Sequence, residues 1–297
     1  MPEVHDTAGL LELSIMLPAY NEEGAIGGLI QEIRGVMASW PGGWEILVVD
    51  DASSDATARI AESSGVRVIR HPERRGAGGA CKTGIVAARG RLVAMMDADG
   101  GHDPAALPEL LSFIPPYEQV NGARMGETGT APALRGPAKW AIRKLAEWLS
   151  DRTIPDLNTG MKVFRRDLML RYLWVIPEGF SNTSSMALAF LTNGHAVKFV
   201  PVPYRKRIGR SKFRPLRDTL QYLKTVLRLC MYFRPLRIFA PLAGLLGLAA
   251  AASASHHVLR SPLGLHDADV ILAVAALQTL IVGLLADLIV AQRRTQA

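Results

Sequence analysis

Leu92-Val93-Ala94-Met95-Met96-Asp97-Ala98-Asp99 is an apolar run that stops at two carboxylates one residue apart. Such a pair at a strand's end can hold a hard divalent cation and leave ligand positions open for a diphosphate. Two more runs upstream end in acids. Leu13 to Leu17 leads into Pro18-Ala19-Tyr20-Asn21-Glu22-Glu23, and Ile46 to Val49 into Asp50-Asp51-Ala52-Ser53-Ser54-Asp55. Val66 to Arg70 reads as another strand, and helical patterns near 22–39, 55–64 and 77–89 lie between the strands. Gly65 and Gly90 stand where helix C-caps are expected, and Asp103-Pro104 reads as an N-cap followed by proline at the first helical position. The alternation predicts an α/β fold, a mainly parallel sheet flanked by helices, with ligands at the carboxyl ends of its strands.

The chain has 297 residues and a formal charge of +7, which favours anionic partners. Basic residues crowd between Arg205 and Arg237, just before a long apolar run, which points to a membrane surface. No helix-turn-helix, zinc-finger or RNA-recognition signature supports nucleic acid. Cys81 and Cys230 are far apart and lack metal spacing, so a reduced, cytosolic setting is expected. The acidic start, Met1 to Asp6, does not read as a signal peptide.

Residues 215–234 place Leu216, Leu220, Leu223, Leu227 and Met231 on one helix face and Arg217, Gln221, Lys224 and Arg228 on the other. A basic amphipathic helix of this kind suits a headgroup layer, although an ordinary surface helix has the same pattern. Ile238 to Ser255 carries no charge, and Val270 to Gln292 carries only Asp287. Each can cross a hydrocarbon core of about 30 Å. Arg228, Arg234, Arg237, Arg293 and Arg294 flank the outer ends, while Arg260, Asp267 and Asp269 lie near the connection. The positive-inside rule then predicts a multi-pass protein of the cytoplasmic membrane, with both termini and the catalytic portion in the cytoplasm. The expected division is a catalytic domain over 1–213, an interfacial helix over 214–235 and a two-helix hairpin over 236–297.

Tyr20 is placed to meet a flat base, and Glu22 a ribose or base donor. Asp50 and Asp51 are costly to crowd together unless a cation or ligand hydroxyls accept them, whereas Asp55 fits a helix cap. Arg74-Arg75-Gly76-Ala77-Gly78-Gly79-Ala80 before a helix invites a dinucleotide phosphate loop, with Asp97 about 20 residues on. Cys81 at the third-glycine position and the motif's place in the third strand unit weigh against it.

Together these pieces resemble the glycosyltransferase family 2 catalytic domain of GT-A architecture. With the C-terminal features they are similar to the polyprenyl-phosphate sugar synthases typified by dolichyl-phosphate mannose synthase. The residues that carry the resemblance are Pro18 to Glu22, Val49 to Ser53, Asp97 to Asp99 with His102-Asp103-Pro104, Gly122-Ala123-Arg124, Asp156 with Thr159-Gly160, and Arg207 to Lys212. The resemblance implies that Pro18, Tyr20, Glu22, Val49 and Asp51 hold a UDP- or GDP-linked sugar. It implies that Asp97, Ala98 and Asp99 bind Mg2+ or Mn2+ and the diphosphate, with Asp97 and Asp99 as metal ligands. It also implies that Arg124 meets an acceptor or donor phosphate, and that Arg207 and Lys212 close over the donor from a mobile loop. Gly101 departs from relatives that carry glutamine there, and Asn158 and Met161 depart from the commoner residues.

Between Gly179 and Arg217 there is no Asp or Glu, while Arg and Lys accumulate. A sugar-hydroxyl nucleophile wants a carboxylate base nearby. A phosphate monoester, with a second pKa of about 6, needs only cations to position it. Arg124, Arg135, Arg207 and Lys212 are candidates, and Asp156 orients cations or substrate in preference to serving as a base. The expected reaction is one in-line displacement by a polyprenyl phosphate, inverting the anomeric centre, catalysed by Asp99, Arg124, Arg207 and Lys212 with Arg135 and Asp156 on the acceptor side. A processive polysaccharide synthase would carry Gln-x-x-Arg-Trp, and the chain has no Arg-Trp pair. A transferase acting on a hydroxyl acceptor and a membrane-anchored inactive scaffold are the remaining alternatives. Paired terminal helices are also compatible with a homo-oligomer.

Overall fold

A computed structural model describes residues 11–125, 140, 143–148, 150–179, 181–205, 224, 227–228, 231–260 and 266–296. The chain divides into two compact units, Met1–Thr225 and Val226–Ala297. Arg135, Arg207, Lys212 and most of the expected amphipathic segment lie outside the described residues, as does Cys230.

The first unit is built on one seven-stranded sheet. Its strands are β1 (Leu13–Ala19), β2 (Trp44–Asp50), β3 (Arg67–Arg70), β4 (Leu92–Met95), β5 (Gln119–Arg124), β6 (Lys162–Arg165) and β7 (Val197–Val202), in the order β3-β2-β1-β4-β6-β5-β7. Parallel pairing joins β3, β2, β1 and β4, and β5 with β7. Only β6 runs antiparallel to both its neighbours. Six strands therefore point one way, and the start of β6 shares an edge with the ends of the others. The expected mainly parallel sheet is present; the reversed strand was not legible, because four residues of Lys-Val-Phe-Arg carry no sign of direction.

Helices α1 (Ile26–Met37), α2 (Thr57–Ser63) and α3 (Ala77–Ala87) connect the first four strands. Ile26, Leu29, Ile30, Ile33 and Met37 form a stripe at helical spacing and are buried against Leu13, Ile15 and Leu17 of β1. The helix begins at Ile26 and not at 22: Asn21 takes a positive φ of 52°, and Asn21, Glu22 and Glu23 turn their backbone N–H groups to the next strand-end turn. They donate to Ser53 Oγ, Thr57 Oγ1 and Asp55 Oδ2 at 2.9, 2.8 and 3.2 Å. These bonds fix the first strand-end turn on the second. Asp55 also accepts from Thr57 N at 2.9 Å, so it bonds the first residue of α2, although the N-cap position itself is held by Ala56.

Gly65 takes a positive φ of 66° after α2, as a C-cap glycine should. Gly90 does not serve as a cap. A Cβ there would stand 2.4 Å from Ser14 N and 2.5 Å from Leu13 C, so the residue is small because β1 passes against it. Asp103 does cap its turn, accepting from Ala105 N at 3.0 Å ahead of α4 (Leu107–Ser112). Two further helices, α5 (Arg166–Arg171) and α6 (Asn182–Thr192), follow β6.

The second unit contains α7 (Leu236–Arg260) and α8 (Asp267–Gln296). Stretches of 24 and 26 residues in them, with mean hydropathy 1.7 and 2.2, are long and apolar enough to cross a membrane. Only 11% of each is buried within the protein, unlike the core helix of a soluble domain. The two helices pass closely at Gly283. A Cβ on Gly283 would fall 2.5 Å from Phe239 Cβ.

Because backbone lies on the crowded side of Gly90, Gly90→Ala is expected to cost about 1–3 kcal/mol. Thermal unfolding in detergent checks this, with Gly28→Ala, which meets nothing within 4 Å, as the reference that leaves the midpoint unchanged or raised.

Candidate active site

The carboxyl ends of β1, β2, β4, β5 and β7 and the start of β6 converge on one edge. Register puts Ala19 opposite Asp50 and Met16 opposite Met95, so the three acid-bearing turns follow adjacent strands. Asp97 and Asp99 are half-buried, while Ala98 between them is buried. The Gly101 N–H donates to Asp99 Oδ1 at 2.9 Å.

The reversed strand brings in what the sequence left unconnected. Asp156, Thr159, Gly160 and Lys162 all lie at or before the start of β6. Thr159 Oγ1 donates to the Gly122 carbonyl at 2.5 Å, tying this segment to β5. Gly160 faces Asp97 so closely that a Cβ would sit 2.0 Å from Asp97 Oδ2. A Cβ on Gly101 would sit 2.9 Å from Asp99 Oδ1 and 2.8 Å from Tyr204 OH. Both carboxylates are thus flanked by glycines that leave room beside their oxygens. Hard oxygen donors with such cradles fit Mg2+ or Mn2+.

Arg124 and Asp156 form a fork-shaped ion pair. Arg124 Nε donates to Asp156 Oδ2 at 2.7 Å, Nη2 to Oδ1 at 3.0 Å, and the Arg124 backbone N–H to Oδ2 at 3.2 Å. Burial alone would raise the Asp156 carboxyl pKa, but the hydrogen bonds and charge of Arg124 bring it below the ordinary value. In the same way, burial would lower Arg124, yet Asp156 holds it above the usual guanidinium range. Asp156 is therefore a weak base and a strong clamp on a cation. The Arg124 guanidinium also lies 5.4 Å from the Tyr204 ring centroid.

Lys162 escaped the sequence reading. It is fully buried, with Nζ donating to the Thr183 carbonyl at 2.8 Å. Desolvation pulls its pKa down to about 8, opposed by the negative charges of Asp156 and Asp97. The available signal was a lysine inside an apolar strand, Met161-Lys162-Val163-Phe164, a position where a cation needs a buried counter-charge. Cys81 lies in the same electrostatic neighbourhood. Its thiol accepts from Asn182 Nδ2 at 2.9 Å, and burial pushes it up to about 12, so it is an inert packing group.

On the other side of the edge, Asp51 is buried and its carboxylate organises a loop. Asp51 Oδ1 meets His71 Nδ1 at 2.8 Å and accepts from Arg75 N at 2.8 Å, while Oδ2 accepts from Gly76 N at 2.7 Å. His71 Nε2 in turn meets Thr83 Oγ1 at 2.9 Å. Arg74, carried by this loop, lies 4.1 Å over the Tyr20 ring. Glu22 is anchored through its N–H, Pro18 is half-buried, and the Val49 side chain lies in the core. The glycine run is no phosphate cradle, since the Gly78 and Gly79 N–H groups both donate to the Glu178 carbonyl at 2.7 and 3.1 Å.

Comparison with known proteins agrees with this architecture. The family model for glycosyl transferase family 2 matches residues 14–173. A dolichyl-phosphate hexose transferase of Haloferax volcanii is 31% identical, covering 74% of this chain and 94% of its own length. A dodecaprenyl-phosphate galacturonate synthase of Rhizobium johnstonii is 26% identical, over 96% of this chain and 89% of that protein. Among solved structures, glucosyl-3-phosphoglycerate synthase of Mycobacterium tuberculosis in complex with Mn2+, UDP and glucosyl-3-phosphoglycerate superposes with a TM-score of 0.58 at 25% identity. It covers 75% of this chain and 81% of that one. With more than half of its length matched and the acid-bearing turns of β1, β2 and β4 on one edge, the chain belongs to glycosyl transferase family 2.

Proposed function

We propose that the protein transfers a sugar from a nucleoside-diphosphate donor to a polyprenyl phosphate in the membrane, with inversion at the anomeric carbon. The commitment of Asp156 to Arg124 carries this reading. The edge offers a clamped cation beside the carboxylate pair, with the Asp156 carboxylate spent on holding that cation. Such an arrangement suits a nucleophile that is already anionic and needs alignment more than proton removal. The names of the relatives in Haloferax and Rhizobium point to the same class of acceptor.

In this reading Asp97 and Asp99 hold Mg2+ or Mn2+, which when bound supplies charge for the donor diphosphate. Tyr20, Glu22 and the loop that Asp51 anchors take the nucleoside, with Pro18, Val49 and Ala98 shaping the strand ends through their backbone. Arg124, fixed by Asp156, aligns the acceptor phosphate, whose oxygen attacks the anomeric carbon as the bond to the donor diphosphate breaks. Arg207 and Lys212 are assigned to the departing diphosphate, and Arg135 to the acceptor side. With the two apolar helices spanning the membrane, both termini and the first unit face the cytoplasm, where nucleotide sugars are made.

The decisive assay uses purified full-length protein in detergent, a short polyprenyl phosphate and Mg2+ or Mn2+, with a panel of UDP- and GDP-sugars. Radiolabel is expected in the organic phase from one donor, in inverted configuration, and absent with Asp99→Ala. Transfer only to a soluble glycan would show that the acceptor is wrong. Retained configuration would overturn the single displacement.

Asp156→Asn removes a charge-assisted contact of about 1.5–3 kcal/mol and is expected to lower kcat about 10- to 100-fold. Its acid limb in kcat/KM for the acceptor should stay near the phosphate's second pKa of about 6, as in the parent chain. Were Asp156 the base, that limb would vanish. In a metal titration of activity, Gly160→Ala should raise the concentration for half-maximal rate by about 10- to 100-fold, because its Cβ would displace Asp97.

A further inference from the structure

The end of α7 and the start of α8 bring together His257, His266 and Asp269, one ligand atom of each lying within 4.8 Å of the others. We infer that this cluster is a site for a divalent transition-metal ion, Zn2+ in the first instance, separate from the carboxylate pair of the first unit. The donors are two imidazoles and one carboxylate, a set that suits zinc and is foreign to magnesium or calcium. Three protein ligands with an open fourth position are a common zinc arrangement.

Geometry supports the assignment. His257 Nδ1 lies 2.9 and 3.1 Å from the two oxygens of Asp269. Ligands of a tetrahedral zinc with bonds of about 2.0–2.1 Å stand about 3.3 Å apart, so this pair already has nearly that separation. The Asp269 carboxylate is aimed by its own partners. Ser253 Oγ donates to Oδ1 at 2.5 Å and the His266 backbone N–H to Oδ2 at 2.9 Å. Contacts of this kind orient a ligating carboxylate. Asp269 is buried although it stands in the first turn of a helix whose other side chains are largely exposed.

His266 supplies the argument for a ligand beyond hydrogen bonding. Its ring lies 4.0 Å from that of His257, tilted by 33°. The hydrogen bonds of Asp269 come from Ser253, His257 and the His266 backbone, so the His266 imidazole is surplus to that network. An exposed second imidazole held over the first, beside a carboxylate, completes a three-donor set. Bound there, the ion would join the end of α7 to the start of α8 and close the hairpin.

The test uses the full-length protein, purified in detergent through a tag without histidines, carrying Asp99→Ala to remove metal uptake at the carboxylate pair. Equilibrium dialysis against Zn2+ alone is expected to give one bound equivalent. Adding His266→Ala should weaken that binding at least about tenfold, while His266→Cys, which keeps a zinc donor, should restore it. His266 is exposed and its ring makes no hydrogen bond among the described residues, so its replacement does not threaten folding. In the chain with Asp99 intact, His266→Ala should leave sugar transfer unchanged, which keeps this site distinct from the proposed reaction. Absence of a bound equivalent, or equal zinc binding by the His266→Ala chain, would overturn the site.

Discussion

The first unit depends on the contact between Gly160 and Asp97. It exists because one strand of seven is reversed. With β6 inserted antiparallel between β4 and β5, its leading residues arrive at the edge where the other strands end. One short segment then supplies Asp156, the clamp of Arg124, together with Gly160, the open flank of Asp97, and Lys162, the buried cation behind both. A parallel β6 would carry these residues to the far edge of the sheet. Any side chain at 160 larger than hydrogen would force Asp97 or the β6 segment aside.

Electrostatics explains why so many charges tolerate one place. Asp97, Asp99 and Asp156 would repel one another in a half-buried cleft. Arg124 neutralises Asp156 directly, and the charge of Asp97 is felt at Arg124, Lys162 and Cys81. Deleting one member of a buried charge set typically costs about 3–5 kcal/mol, because its partner is left uncompensated. Lys162 thus has a structural reason to be charged at neutral pH in spite of its burial. A divalent ion at Asp97 and Asp99 would complete the compensation on the solvent side, where Lys162 does not reach.

Much of this was legible in the chain. The three acid-bearing turns announce themselves because each follows an apolar β-rich run, and local chemistry is what short-range patterns encode. Long-range partners were not legible. That Asp51 holds a loop 20 to 25 residues away through His71, Arg75 and Gly76 depends on β2 and β3 being neighbours. The glycine run at 76–79 carries the pattern of a phosphate loop, yet the Gly78 and Gly79 N–H groups turn to the Glu178 carbonyl, about a hundred residues downstream. Gly90 looks like a cap from its place after a helix and turns out to be a crossing point with β1. In each case the residue type was read correctly as special, while the partner that makes it special came from topology.

The choice between a phosphate and a hydroxyl acceptor follows from where proton affinity has been removed. A hydroxyl nucleophile needs a carboxylate whose pKa is kept up, as burial without a cation would do. At Asp156 burial is present and the cation overrides it, through two side-chain contacts and one backbone contact with the same residue. The same pairing raises Arg124, so its charge persists at every accessible pH. In the proposed reaction, a carboxylate committed in this way to a permanent cation serves to receive an anion. Two helices long and apolar enough to cross a membrane, in the same chain, agree with the proposal that this anion is carried by a lipid.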